Sequence, residues 1–259
     1  MRGCTLRVAV PFLLASAAWG AAAPYYTAQS IVNAADYSPG PFAPNSIVAL
    51  FGTDLMLTTG GIPGSSGGVL PIEMNGVQVW IDFVPASLLY VSPTQINFVV
   101  PPNESAGKST LMVVRQTVPG PAVTITIADA APALFPTTAG LAIATHLDGS
   151  VITADQPARP NEIVVLYLCG LGQTRPVQVS GTLAPNAAQI AQLANLKILL
   201  DGTAVDPSRV LYAGITPGFA GLYQINFALP GQVGNDPEIR VAVGGAVSSA
   251  GIKLAVRQP

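Results

Sequence analysis

Charged side chains and histidine are scarce in this chain. Only 9% of its 259 residues are charged, and 11 basic residues stand against 13 acidic ones. Proteins that bind nucleic acid carry a basic patch that neutralises phosphates, so no nucleic-acid partner is expected. The single histidine, His146, excludes zinc or catalytic sites that need two or three imidazoles.

Cysteine is almost as rare, because the sequence has only Cys4 and Cys169. Cys4 lies in residues 1–22, where a basic start is followed by an apolar core and then small residues, the layout of a cleavable secretory signal. Cleavage after Gly20 or Ala22 agrees with the preference of signal peptidases for small residues. The alternatives to a cleaved signal are a buried amino-terminal helix and an uncleaved membrane anchor. Cleavage removes Cys4, so we expect an exported protein, secreted or held in the periplasm or at the cell surface, without an internal disulfide.

Long apolar runs are also missing after this segment. No later stretch has the 18 uninterrupted apolar residues that indicate a transmembrane helix, so none is expected beyond the signal peptide. Half of the residues are nevertheless hydrophobic, which is too many for a disordered chain. The 26 glycines and 24 prolines are therefore interpreted as turn residues between short strands.

Alternation of apolar and polar residues with a period of two is the main structural signal. It places Val77, Val79, Ile81 and Phe83 on one face of a strand, and it recurs over residues 123–127 and 252–257. The predicted fold class is all-β, with tandem immunoglobulin-like β-sandwiches after the signal peptide. One segment, residues 185–195, favours about two turns of helix, with a loop as the alternative.

The chain also repeats itself, which predicts two related units. Two blocks recur in the same order, with an Asn-Gly or Asp-Gly turn between them each time. We therefore expect one sandwich over residues 24–131 and a second over residues 132–259, joined near residues 129–135 by a short proline-containing junction. The paired blocks are residues 44–51 with 160–167, residues 95–101 with 224–230, and the turns Asn75-Gly76 and Asp201-Gly202.

Several of these motifs resemble a known family. Residues 47–55, the strand after Asn75-Gly76 and residues 95–101 are similar to the immunoglobulin-like IPT/TIG domains. As a set, further motifs resemble the uncharacterised Solibacter-type C-terminal domain of secreted acidobacterial proteins. That resemblance covers about residues 29 to 256 and implies secretion and tandem β-sandwiches, but no reaction. Its motifs are residues 32–40, 89–98, 166–167, 170–172, 212–214 and 217–226.

Motifs that suggest catalysis or metal binding are weak. Residues 64–68 fit the G-x-S-x-G pattern around Ser66, but no helix pattern follows, so a flexible loop is favoured. Cys169 with His146 is a possible nucleophile pair, although Cys169 ends a hydrophobic strand and a buried, inert thiol is favoured. We expect no cofactor and no metal. The alternative is a calcium site formed by carboxylates of separate loops (Asp201, Asp206, Asp236 and Glu238).

Two features suggest binding instead. Trp80 takes the outer face of its strand, where a large aromatic side chain either stacks on a ligand or is covered by another part of the chain. Gln95 and Asn97 share one strand face, and Gln224 and Asn226 repeat this pattern in the second unit. These amides either brace neighbouring loops or form a repeated ligand site.

The most consistent interpretation is a non-catalytic exported module. It would serve as a structural, adhesive or spacer unit that binds a protein partner or a cell-envelope or polysaccharide surface. The alternative is a carbohydrate-binding module that uses Trp80, with Tyr90 or Tyr212 as further stacking residues. A hydrolase that uses Cys169 or Ser66 is a remote third hypothesis. The sequence leaves the oligomeric state unknown.

Overall fold

The computed structural model describes residues 22–57 and 68–258. Residues 1–21 of the predicted signal peptide, and Ser66 in the Gly/Ser-rich segment, lie outside the described residues. In the part of the chain that is described, no helix is both long and apolar enough to cross a membrane.

Two antiparallel sheets make up the first half of the chain. Its strands are β1 (Ile31–Asn33), β2 (Ile47–Phe51), β3 (Val77–Ile81), β4 (Val84–Pro85), β5 (Ser87–Val91), β6 (Gln95–Val99), β7 (Gly107–Arg115), β8 (Val118–Pro119) and β9 (Val123–Ile127). One sheet has the order β1-β2-β6-β5, and the other has the order β4-β3-β7-β8, with β9 also paired to β7. This division of strands is that of an immunoglobulin sandwich.

The second half repeats this plan with additional strands. They are β10 (Ala133–Leu134), β11 (Ala144–His146), β12 (Ile163–Cys169), β13 (Thr174–Arg175), β14 (Ala188–Ile190), β15 (Leu196–Leu200), β16 (Thr203–Ala204), β17 (Val210–Ile215), β18 (Tyr223–Ala228), β19 (Ile239–Val243) and β20 (Ala246–Val247). One sheet has the order β10-β12-β18-β17-β14-β13, with β11 beside β12, and the other has the order β16-β15-β19-β20. The predicted all-β fold with tandem immunoglobulin-like sandwiches is confirmed.

Each half has its own hydrophobic core between its two sheets. In the first half, Leu50 and Phe98 from one sheet meet Val79 and Val113 from the other. In the second half, the core lies between the sheets of β12 and β15 in the same way, and it also includes Ala130. Burial of these alternating apolar residues is the main force that holds each pair of sheets together.

The two halves also share strand register. Leu50 pairs with Ile96 between β2 and β6, and the equivalent residues Leu166 and Ile225 pair between β12 and β18. Both halves have one bulge at the same place, after Leu88 in β5 and after Val210 in β17. Because a slip of one residue reverses the two faces of a strand, the common register places equivalent side chains on equivalent faces.

Two local predictions were wrong. β3 ends at Ile81, and Asp82 adopts a left-handed backbone conformation, so Phe83 turns outward and is 93% exposed instead of joining the core. Residues 185–195 form β14 and a single 3₁₀ turn, Leu193–Asn195, instead of two turns of helix. β14 bonds to the free edge of β17, so pairing with an available sheet edge outweighs the helix propensity of the alanines and glutamines.

Candidate functional site

Four side chains on the outer surface of the first sandwich form a compact group. Gln95 Nε2 donates a hydrogen bond to Asn97 Oδ1 at 2.9 Å. On the adjoining strands Phe51 lies opposite Gln95, and Tyr90 lies opposite Asn97. Residues directly opposite each other in a ladder share a face of the sheet, so the two rings flank the two amides. All four are half-buried, and we call this group the first aromatic–amide face.

The second sandwich carries the same arrangement. Gln224 Nε2 donates to Asn226 Oδ1 at 3.2 Å, Tyr167 lies opposite Gln224, and Tyr212 lies opposite Asn226. We call these four residues the second aromatic–amide face. In both halves the glutamine bonds to the asparagine two residues along its own strand. Neither glutamine nor asparagine side chain bonds to a loop backbone within the described residues.

The two faces differ in whether the tyrosine hydroxyl is already hydrogen-bonded to the backbone. The Tyr212 hydroxyl donates to the Ile215 carbonyl at 2.7 Å and accepts from the Ala188 N–H at 3.2 Å. Its ring lies over Gly214, where an added Cβ would come within 2.5 Å of the hydroxyl oxygen. Burial raises the pKa of Tyr212. Tyr90 has no such clamp among the described contacts, because β5 is the edge strand of its sheet.

An exposed aromatic residue extends the first face. Tyr37 is 62% exposed, and its ring centroid lies 6.2 Å from that of Phe51. Its φ of 56° is in the left-handed region, which costs a bulky residue about 1–2 kcal/mol. The loop that imposes this conformation is well bonded, because Asp36 Oδ1 accepts from the Ser38 N–H and the Tyr37 N–H donates to the Asn33 carbonyl. No pattern in the sequence distinguishes Tyr37 as a surface aromatic next to Phe51.

Trp80 lies on the opposite side of the first sandwich. It is half-buried on the outer face of β3, between Pro85 of β4 and Met112 of β7. Its indole N–H donates to Gln78 Oε1 at 3.3 Å. Since the two sheets pack core face to core face, their outer surfaces point in opposite directions. The structure therefore does not bring Trp80 together with Gln95 and Asn97.

The junction between the sandwiches centres on Cys169. Its fully buried thiol donates to Asn33 Oδ1 of the first sandwich at 3.0 Å, and the same oxygen accepts from the Ala35 N–H at 2.9 Å. Ala133 and Phe135 pack around the sulfur with Ala35. Burial raises the pKa of the Cys169 thiol to about 12, so it is protonated at neutral pH.

Two glycines let the connecting segment pass close to the end of β12. A Cβ on Gly170 would lie 1.9 Å from the Ala131 carbonyl oxygen, and one on Gly172 would lie 2.1 Å from the Asp129 carbonyl oxygen. The Ala131 N–H also donates to the Gly170 carbonyl at 2.8 Å. The Gly-Leu-Gly motif therefore serves close backbone packing at the junction.

Further contacts join the sandwiches away from the linker. The Leu70 N–H donates to the Gly181 carbonyl at 2.6 Å, and the Leu183 N–H donates to the Gly68 carbonyl at 2.8 Å. An added Cβ on Gly221 of the second sandwich would lie 2.6 Å from Ile47 of the first. The sequence offered no signal for these contacts, because the partners are far apart in the chain.

The structure does not form the proposed Cys–His pair. His146 lies opposite Val164 in the ladder of β11 and β12, whereas Cys169 lies at the far end of β12. Five residues of strand separate those two positions by about 17 Å. His146 Nδ1 instead bonds to Glu162 Oε1, which raises the pKa of the imidazole.

The loop carboxylates that were considered as calcium ligands do not come together in one site. Asp201 Oδ1 accepts from the Glu238 N–H at 2.9 Å, and Asp206 Oδ1 accepts from the Ser208 N–H at 2.9 Å. Asp236 pairs with Arg257. Within residues 22–57 and 68–258, no group of three or more acidic, histidine or cysteine side chains has the spacing of a metal site.

Comparison with known proteins gives only distant likeness. No protein-family model and no curated protein sequence matches the chain. Similar solved structures include the surface glycan-binding protein PbSGBP-B of Prevotella bryantii, with 12% identity and a TM-score of 0.28 over 90% of this chain and 42% of that one. They also include SGBP-B of the mixed-linkage glucan utilization locus of Bacteroides ovatus, in complex with a heptasaccharide, with 11% identity and a TM-score of 0.33 over 94% and 47%.

The tandem immunoglobulin repeats of Dlar also match, with 13% identity and a TM-score of 0.21 over 84% of this chain and 92% of that one. This chain spans less than half the length of the two glycan-binding proteins. At these TM-scores the likeness carries no argument about ligand or activity.

Proposed function

We propose that this protein is a non-catalytic exported module of the IPT/TIG type, related to the Solibacter-type C-terminal domain. Its two sandwiches act as one rigid spacer or adhesive unit that binds a protein or cell-envelope partner. The observation that carries this proposal is the junction, where a buried thiol–amide hydrogen bond and tightly packed glycines join the two sandwiches. Bending there would separate Cys169 from Asn33 and leave buried polar groups unpaired, which costs about 1–3 kcal/mol per group.

Rigidity is tested by small-angle X-ray scattering of the chain from Ala21 onward. We expect a single particle whose scattering is fitted by one conformation. Gly221→Val places a side chain against Ile47 and is expected to broaden the distribution of particle lengths. Gly149→Val, on an open hairpin turn where an added Cβ meets nothing, is the matched control. A wild-type chain that already needs a broad ensemble would contradict the rigid-spacer proposal.

Export is tested by sequencing the amino terminus of the mature protein. Arg115 is fully buried, and its guanidinium donates to the backbone carbonyls of Asp54 and Ala22. Cleavage after Gly20 keeps the Ala22 carbonyl in its peptide bond, whereas cleavage after Ala22 removes it from the chain. We therefore propose that the mature protein begins at Ala21. Recovery of intact Met1 from the culture supernatant or periplasm would contradict export.

Carbohydrate binding at Trp80 is the second candidate function. It is favoured by the partial exposure of an indole ring beside Gln78, whose amide can bond to hydroxyl groups. A glycan array with wild type and Trp80→Ala tests it. Binding that the substitution does not change would remove Trp80 from the site.

A further inference from the structure

We infer that the first aromatic–amide face, together with Tyr37, binds an uncharged polysaccharide. This inference rests on the proposal that the protein is an exported binding module, and it names the ligand class and the surface. The ligand class follows from charge. No side chain that points outward from β1, β2, β6 and β5 is a carboxylate, ammonium, guanidinium or imidazole group. The half-buried residues on this outward face are Val32, Ile47, Phe51, Tyr90, Gln95 and Asn97; Ala49, Ser87 and Val99 are buried, and Ile47 and Ser87 lie beside Gly221 and Gly181 of the second sandwich.

The strand face has no countercharge, and the Asp36 carboxylate beside Tyr37 already accepts hydrogen bonds from Ser38 and Ser249, so anionic and cationic polymers are disfavoured. Charged sugars and acidic or basic peptides would lose hydration there without gaining an ion pair. A neutral glycan meets no such cost, because its hydroxyl groups need only hydrogen-bond donors and acceptors. The face therefore matches a polymer of neutral sugars in charge.

The amides provide both kinds of hydrogen-bonding group. The bond from Gln95 to Asn97 uses one N–H of the glutamine and the oxygen of the asparagine. Gln95 Oε1 and Asn97 Nδ2 remain, and neither belongs to the buried, unbonded polar atoms of the described residues. A sugar hydroxyl both donates and accepts, so adjacent hydroxyls can donate to Gln95 Oε1 and accept from Asn97 Nδ2.

Aromatic rings supply the apolar part of the surface. The C–H faces of a sugar ring are apolar and pack on aromatic side chains, while the hydroxyls at its edge reach polar neighbours. Tyr37 is exposed and Phe51 lies beside it. The loop holds Tyr37 in a strained conformation, which is a pattern that clusters at ligand-binding sites.

The second aromatic–amide face is a natural control for the first. The Tyr212 hydroxyl is already bonded to the backbone. The sheet continues past β17 through β14 to β13, where the cationic Arg175 lies opposite Gln189. We therefore assign the ligand to the first sandwich alone.

The test is affinity electrophoresis of the chain from Ala21 onward in gels containing one soluble polysaccharide each. The neutral probes are mixed-linkage β-glucan, xyloglucan, galactomannan and arabinoxylan; the charged probes are polygalacturonate and chitosan. We expect retardation by at least one neutral probe and none by the charged ones. Retardation only by a charged probe, or by no probe, would overturn the inference.

Substitutions then locate the site. Tyr37→Ala and Gln95→Ala are each expected to weaken binding roughly tenfold or more, as removal of a central contact does. The matched changes Tyr167→Ala and Gln224→Ala in the second face should leave the dissociation constant unchanged, as should Trp80→Ala. Loss of binding in Trp80→Ala alone would transfer the site to the opposite sheet and refute this assignment.

Folding and rigidity are monitored separately. Tyr37 is exposed, and alanine carries similar backbone strain at this positive φ, so Tyr37→Ala should keep the wild-type circular dichroism spectrum and unfolding midpoint. If no glycan binds while scattering still shows one rigid particle, the glycan inference fails and the spacer proposal stands. If a glycan binds to a flexible chain, the spacer proposal fails alone.

Discussion

The Cys169 thiol of the second sandwich donates a hydrogen bond to the Asn33 side-chain oxygen of the first, with 3.0 Å between the two atoms. The two residues are 136 positions apart in the chain, and the intervening segment includes most of the first sandwich and the start of the second. A residue type that often suggests a nucleophile is here a structural donor, and its reactivity is a direct measure of whether the junction is closed.

The thiol is expected to be unreactive in the folded protein. In native buffer, the chain from Ala21 onward should not react with a thiol reagent such as DTNB. In denaturant, its single thiol should react. Asn33→Ala removes the acceptor of two buried hydrogen bonds, so it should accelerate labelling and lower the free energy of unfolding by about 2 kcal/mol. Thr124→Ala, exposed on β9, is the control. Fast labelling of the wild type would contradict the buried junction.

Gly170 is expected to tolerate no side chain. Gly170→Ala should lower the free energy of unfolding by at least about 2 kcal/mol more than Gly149→Ala does, as measured by urea denaturation. Both glycines have positive φ, 80° and 88°, so both variants carry the same backbone strain. Only Gly170 brings the new Cβ against a carbonyl oxygen. Equal losses of unfolding free energy in the two variants would show that the linker accommodates the added Cβ at little cost.

Each sandwich is expected to unfold cooperatively when expressed alone, since each has its own core. The structure favours a cut between Ala128 and Asp129, because the Ala128 N–H donates to the Phe42 carbonyl of the first sandwich while Ala130 packs in the second core. A fragment of residues 129–259 should therefore be more stable than one of residues 132–259. Differential scanning calorimetry measures both; failure of both halves to fold would indicate that the junction is part of one shared core.

Stability is expected to fall at alkaline pH. Burial raises the pKa of Cys169 from 9.0 to about 12 and that of Tyr26 from 10.0 to about 12. The folded protein keeps these protons where the unfolded chain releases them, so their contribution is complete below about pH 9 and is lost as pH rises toward 12. Urea midpoints should decline from about pH 9 upward, and Cys169→Ala should remove the earliest part of the decline. A flat profile in the wild type up to about pH 11 would contradict burial of these groups.

The lone histidine is expected to titrate above its ordinary value. The hydrogen bond that His146 donates to the Glu162 carboxylate raises the pKa of the imidazole, with a smaller contribution from the charge of Asp148. Stability from this pair is complete below the ordinary value of 6.5 and is lost as pH rises through the folded value. Nuclear magnetic resonance of the one imidazole should show a lower pKa in Glu162→Gln and a much smaller change in Asp148→Asn. An unchanged pKa in Glu162→Gln would refute the contact.

Several features could be predicted from sequence because they depend on residues close together in the chain. Alternation identified the inward residues of β3 and β9. The two glycine turns are not equivalent, because Asn75-Gly76 precedes β3 whereas Asp201-Gly202 joins β15 to β16, as Asp82 and Phe83 join β3 to β4. The repeated Gln-x-Asn pattern placed equivalent amides on equivalent faces, because register follows from which residues must be buried. The same rule was wrong at Phe83, where a left-handed Asp82 ends the strand before the pattern does.

The sequence by itself therefore determined the fold class, the duplication and the scarcity of groups for catalysis. These depend on composition and on short-range periodicity, which every strand expresses locally. Only the tertiary structure decided the role of Cys169, the separation of Trp80 from the amide pairs and the position of Tyr37 beside Phe51. Such relationships join residues that are distant along the chain, and they arise only when strand pairing and sheet packing bring those residues together.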